Sequence, residues 1–131
     1  MKACILIVLL SCSLSFSQTE EKISSMDFVQ IQNNNIEEAM YYYHNNWKKL
    51  RIKALEKNYI DSYQLLENEY SEAAPFHIIL ITTYKNKTQF EAREKHFQEL
   101  IDGHGELMLL NNKTPKEFRK TVFGTDAKHL N

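Results

Sequence analysis

The segment Phe76–Tyr84, FHIILITTY, constrains this chain more than any other. It has β-branched and aromatic residues, no proline or glycine, and strand length, so it reads as a β-strand. Alternation puts Phe76, Ile78, Leu80, Thr82 and Tyr84 on one side and His77, Ile79, Ile81 and Thr83 on the other. Both sides are largely apolar. A strand of this kind must be covered front and back, and a single helix layer covers only one side.

The partners of that strand can be read around it. Met26–Gln32 reads as a first strand, in which Val29 and Ile31 share a face with Asp27. Asn33-Asn34-Asn35 is a turn, and Asn35 with Glu38 has the spacing of a capping box. Ile36–Asn58 reads as one long helix, because Met40, Tyr43, Trp47, Leu50 and Ala54 recur at helical spacing on a single stripe. Ile60–Glu69 is a second strand, with Tyr63 and Leu65 on one face. Gln89–Asp102 is a second helix, opened by a Thr88–Glu91 capping box and closed near Gly103. The reading weakens over 103–131. Leu107–Leu110 fits a strand or a short helix, Thr114-Pro115-Lys116-Glu117 looks like a helix start, and Phe118–Phe123 fits a fourth strand. The order β-α-β-β-α, with a further β in prospect, predicts an α+β fold: a ferredoxin-like split βαβ unit with an antiparallel sheet and two main helices on one face. The bare face then carries Ile79 and Ile81, or their opposite set. Either a second copy covers it, giving a homodimer, or the C-terminal segment folds across it.

The chain of 131 residues fits one domain. Its start reads as a signal peptide over 1–17: Lys2, then the short apolar run Ala3–Leu10, then small residues up to Ser17. The run is too short to span a bilayer. Export is therefore expected, with Leu9-Leu10-Ser11-Cys12 offering lipoprotein processing at Cys12 as the alternative. A polar lead-in over 18–25 precedes the domain at 26–131. Both cysteines, Cys4 and Cys12, leave with the leader under cleavage after Ser17, so the domain must be held by packing alone. A net charge of −1 gives no electrostatic reason to expect nucleic acid.

These features together resemble the dimeric α/β-barrel superfamily of ferredoxin-like proteins, particularly small exported bacterial members of unassigned function. The resemblance is carried by Phe28-Val29-Gln30-Ile31, the Trp47 helix, the Tyr63 strand, and Phe76–Tyr84 running into the Thr88 helix. Relatives often have a histidine shortly after the helix tryptophan and a tryptophan in the second strand. Leu50-Arg51 and Ser62-Tyr63 stand there instead. The superfamily includes cofactor-independent monooxygenases, haem-degrading and haem-binding enzymes, and plain binding proteins, so the fold does not choose a function.

No phosphate-binding glycine loop, nucleophile elbow, His-Glu-x-x-His motif or EF-hand loop is present. No motif calls for a cofactor, and haem enters only through the resemblance. The expected role is binding of a small, mostly apolar molecule, with His77, Trp47, Tyr63 and His44 as the lining residues. The alternatives are an enzyme that uses His77 or His44 as base or iron ligand, and a non-catalytic surface interaction module.

Overall fold

The computed structural model describes residues 21–130. The leader over 1–17 and the lipoprotein site at Cys12 lie outside the described residues. Four strands, β1 (Ile23–Ile31), β2 (Ser62–Glu67), β3 (Ile78–Tyr84) and β4 (Arg119–Lys128), form one sheet in the order β2-β3-β1-β4. Every neighbouring pair is antiparallel. The helices are α1 (Ile36–Tyr42), continued by a π-helical turn (Tyr43–Trp47) into α2 (Lys48–Glu56), then α3 (Lys87–Glu91), α4 (Arg93–His104) and α5 (Pro115–Phe118). The split βαβ arrangement of the sequence reading is present, and the C-terminal segment resolves both open questions: a short helix at Pro115 leads into a fourth strand.

Strand register sorts the side chains into two faces. On one, the rows Tyr63–Thr82–Ser25–Asp126 and Leu65–Leu80–Asp27–Gly124 run across all four strands. This face packs on the helices: Val29, Ile31, Ile78 and Leu80 form a buried cluster with Ala39, Tyr43 and Phe118, and Tyr84 forms another with Ala54, Ile60 and Leu100. Each large apolar side chain so buried stabilises the fold by about 1.5–3 kcal/mol. The other face carries the rows Gln64–Ile81–Met26–Thr125 and Leu66–Ile79–Phe28–Phe123. Among the described residues no helix packs on it. Phe28 stacks on Phe123 at 4.2 Å and meets the edge of Phe76 at 4.9 Å, while Phe123 is still 48% exposed. The apolar bare face expected from Phe76–Tyr84 is therefore the Ile79 and Ile81 side. The C-terminal segment does not fold across it. Only His129 returns, with its Nε2 2.7 Å from Ser24 Oγ at one end of that face.

Several local expectations give way to tertiary bonds. The lead-in over 18–25 is shorter, because Ile23 already pairs with both Tyr84 and Lys128. Asn35 precedes α1 without capping it. Its Nδ2, like that of Asn33, donates to the Glu117 carbonyl at 3.0 Å and ties the chain to α5, just before β4. The second helix is capped by Asn86, whose Oδ1 accepts from the Gln89 N–H at 2.9 Å, two residues before the expected Thr88. Gln89 Oε1 in turn accepts from the N–H of Lys85, the residue before the cap, at 2.7 Å. That helix breaks at Ala92 and ends after His104, where Gly105 rather than Gly103 takes the positive φ of 82°. Leu107–Leu110 forms neither strand nor helix.

The π-helical turn matters most for the site. Widening a helix by one residue releases carbonyls from their usual partners. Asn45 Nδ2 donates to the Tyr41 carbonyl at 2.9 Å and Asn46 Nδ2 to the Tyr42 carbonyl at 3.0 Å. Asn46 is also buried against the backbone of Met108, accepting its N–H and donating to its carbonyl, both at 2.8 Å. One carboxamide thus satisfies the turn and anchors the segment after α4.

Candidate functional site

Trp47, at the end of the π-helical turn, packs against Tyr63 and Arg51, each of which lines a cleft in the helix–sheet layer. Its ring meets the edge of Tyr63 at 5.8 Å on one side and lies 4.3 Å from the Arg51 guanidinium on the other. The Tyr63 side is a cavity of about 400 Å³ lined by Met40, His44, Leu65, Glu67 and Ile78. The Arg51 side, about 310 Å³, is lined by Ser25, Tyr84, Arg93, Phe97 and Ile101.

Arg51 is the most strongly organised polar side chain of the layer. One turn after Trp47 on α2, it is held between the Trp47 and Phe97 rings, each 4.3 Å from its guanidinium carbon. Its Nε donates to Thr82 Oγ1 at 3.2 Å. Planar stacking with a single hydrogen bond suits a guanidinium and not an ammonium. Burial lowers its pKa to about 10, although Tyr84 and Asp27 pull it upward. A cation stripped of water in this way attracts an acceptor group on any molecule that enters.

Polar groups gather beneath it. Thr82 and Ser25 are opposite one another in the sheet, and Ser25 Oγ donates to Asp126 Oδ1 at 2.7 Å. Two residues along the same face is Asp27, on the side of β1 that also carries Val29 and Ile31. Unlike those two it is exposed, so the helix layer leaves an opening above it. Its row neighbour in β4 is Gly124, where a Cβ would come within 2.6 Å of Asp27 Oδ1. Any larger residue there would displace the carboxylate. Desolvation raises the Asp27 pKa and Asp126 adds to the rise, against the pull of Arg51 and Arg119. At the far end of the same layer, Tyr43 is 1% exposed, and Arg119 faces its hydroxyl. Burial pushes that phenol up to about 12, against the downward pull of Arg119.

No protein-family model and no curated protein matches this sequence. Solved structures do match its fold. HapK from Hahella chejuensis superposes with a TM-score of 0.51 at 11% identity, over 82% of this chain and 92% of HapK. A dimeric protein of unknown function and ferredoxin-like fold from Bacteroides fragilis gives a TM-score of 0.50 at 11% identity, covering 83% of this chain and 94% of that one. An uncharacterized NIPSNAP-like domain protein from Burkholderia xenovorans gives 0.50 at 7% identity, with 87% of each chain covered. The fold is ferredoxin-like. The sheet order, the antiparallel pairing and the one-sided helix layer agree with that assignment.

Within the ferredoxin-like frame the four residues singled out from sequence separate. His44 and Tyr63 line the same cleft, and Trp47 touches Tyr63 from the neighbouring side. His77 lies apart from them. Its ring Nδ1 accepts the Ile31 N–H at 2.9 Å while its backbone N–H donates to the Val29 carbonyl at 2.8 Å, so the residue extends the β1–β3 ladder beyond the strand end. Its ring stacks on Tyr70 at 5.1 Å. That acceptor role places the ring proton on Nε2 and commits the other nitrogen to backbone support. Asp27 and Arg51 were not singled out, yet each left a trace. A carboxylate on the core-facing side of a strand is costly to bury, and Arg51 follows the helix tryptophan by one turn.

The elevated Asp27 pKa gives a stability prediction. In the folded protein Asp27 holds its proton to higher pH than in the unfolded chain, where it titrates near 3.8. Stability therefore declines as pH rises from about that value through the folded pKa. Asp27→Asn is expected to match the parent at low pH and to melt above it at neutral pH. The gain stays within about 0.5 kcal/mol, because the site is open to water. Thermal melts of both proteins across pH check this; a variant that loses stability at neutral pH contradicts it.

Proposed function

We propose that this chain is an exported protein that assembles as a homodimer and binds a small, mostly apolar molecule bearing one acceptor group in the Arg51 cleft of each subunit. The observation that carries this reading is the Arg51 guanidinium, stacked between Trp47 and Phe97 and bonded to Thr82. A surface arginine needs no such housing. Leu50, Phe97 and Ile101 supply the apolar wall, and Ser25 and Arg51 supply the polar contacts, the balance usual for a ligand site. Export is supported by the Lys2 and Ala3–Leu10 leader pattern. Dimerisation is supported by the uncovered apolar sheet face, and the Bacteroides fragilis protein of the same fold is dimeric.

The chain contains one tryptophan, whose ring stacks on Arg51 of the cleft and so can report on occupancy. Titration with anilinonaphthalene sulfonate, an apolar double ring with one anionic group, is expected to quench Trp47 by energy transfer with saturation. Phe97→Ala releases one side of Arg51 and is expected to weaken that binding about tenfold, equivalent to about 1.4 kcal/mol. Ile52→Glu, on the exposed side of α2, should leave it unchanged. Equal affinity in the parent and Phe97→Ala would remove the Arg51 cleft as the binding site.

A further inference from the structure

We propose that the free edge of β2, together with the helix wall beside it, takes up an extended segment of another protein as a fifth strand, and that this segment carries alternating apolar side chains and a carboxylate. The site is distinct from the Arg51 cleft, since no residue lines both.

The two edges of the sheet are built differently. β4 has devices that keep an edge from pairing: the charges of Arg119, Lys120 and Lys128, the glycine at Gly124, and a register shift between Phe28 and Val29 of its neighbour. β2 has none of them. Ser62-Tyr63-Gln64-Leu65-Leu66 carries no charge, proline or glycine, and its register on β3 is unbroken from Ser62 to Glu67. Among the described residues no strand pairs with its other side. The Asn68 N–H donates to the His77 carbonyl at 2.8 Å. Alternation from Asn68 turns the backbone of Leu66 and Gln64 toward β3 as well, so the N–H and C=O groups of Tyr63, Leu65 and Glu67 point outward. An extended chain lying about 4.8 Å away offers acceptors and donors at matching intervals.

The same three residues send their side chains to the helix side of the sheet. There the cleft of about 400 Å³ lies between them and Met40, His44 and Lys48 of the helix wall. Every second side chain of an added strand enters this cleft, where Met40 and Leu65 supply apolar contact. Lys48 is in no ion pair among the described residues. It follows Trp47, whose ring meets Tyr63. A carboxylate on the incoming segment therefore belongs at the Tyr63 end, near Lys48 and away from Glu67.

Selection of phage-displayed random dodecapeptides on the immobilised chain tests this. The expected consensus alternates apolar residues and includes an aspartate or glutamate. A fluorescein-labelled peptide of that consensus should bind with saturation, read by fluorescence anisotropy. Amide exchange of Tyr63, Leu65 and Glu67 should then slow by about tenfold or more, while that of Gln64 and Leu66, already turned toward β3, changes little. Glu67→Pro removes one outward N–H without touching the β3 ladder and should weaken binding about tenfold. Glu67→Thr keeps that N–H and should bind no more weakly than the parent. Lys48→Glu should shift the selected consensus from acidic to basic residues. Absence of any enriched consensus, or a consensus peptide that binds Glu67→Pro as tightly as the parent, overturns the added strand. Edge amides already protected in the chain alone, and more so as its concentration rises, would assign the edge to a second copy and overturn the peptide.

Discussion

Phe118→Ala is expected to cost about 3–5 kcal/mol, the largest stability loss of any single truncation in this fold. Phe118 is fully buried, at 0% exposure, among Val29, Ile31, Ala39, Tyr43, Ile78 and Leu80. Its ring centre lies 5.4 Å from that of Tyr42. It is also the hinge between α5 and β4. Its carbonyl accepts the Gln32 N–H at 2.9 Å, and the preceding Glu117 carbonyl takes both Asn33 and Asn35 at 3.0 Å. A domain of this size has only about 5–15 kcal/mol in total, so the melting temperature should fall by roughly 10–20 °C. Because β4 is an edge strand with most of its residues exposed, Phe118 is its principal anchor in the core. Amide exchange in Arg119–Lys128 should therefore accelerate before that in β3. A uniform acceleration across the sheet would mean that β4 unfolds only with the whole domain.

How far the fold was legible follows from which interactions decide each part. β3 and the Trp47 stripe are set by burial of many apolar groups, a large signal written into alternation and helical spacing. The cap of the second helix, the break at Ala92 and the π-helical turn depend on single hydrogen bonds worth about 1 kcal/mol each. Asn86, Asn45 and Asn46 make those bonds at short range, but nothing in the local pattern distinguishes them from other asparagines. Asn46 reaching Met108 and Asn35 reaching Glu117 are contacts between distant segments, and so the path of residues 103–131 stayed open although the helix start at Thr114 was legible. The site was half legible. Trp47 and Tyr63 lie at the junction of two clefts because they belong to apolar faces. His77 attracted notice as a histidine in a greasy strand, yet its work is to accept the Ile31 N–H. The chemically distinctive pair, Asp27 and Arg51, showed in sequence only as one carboxylate out of phase with its apolar neighbours and one arginine after the helix tryptophan.

Ile81→Glu is expected to convert a two-chain particle into a single chain in sedimentation, with the fold intact. The argument starts from the row Gln64–Ile81–Met26–Thr125 and its neighbour Leu66–Ile79–Phe28–Phe123. Leu66 and Phe123, on the two edge strands, are 41% and 48% exposed at either end of a row that no described helix covers. Contiguous apolar area of this kind is rare on a solitary protein and marks an interface. If two sheets meet face to face, the two-fold axis brings residues of this patch near their own copies. A glutamate at position 81 then places two carboxylates in an apolar interface with no cation among the row neighbours to answer them. Like-charge burial costs several kcal/mol, so the dissociation constant should rise on the order of a thousandfold. Within one chain the same change is mild, since Ile81 is not part of either buried cluster and its face is open. The separated chain should therefore keep its circular dichroism and its Trp47 signal, because the Arg51 cleft lies on the opposite side of the sheet. Ile52→Glu, an equal change on an exposed helix position, should leave the two-chain particle undisturbed. A parent protein that sediments as one chain at all concentrations would remove the homodimer while leaving the cleft to be judged on its own.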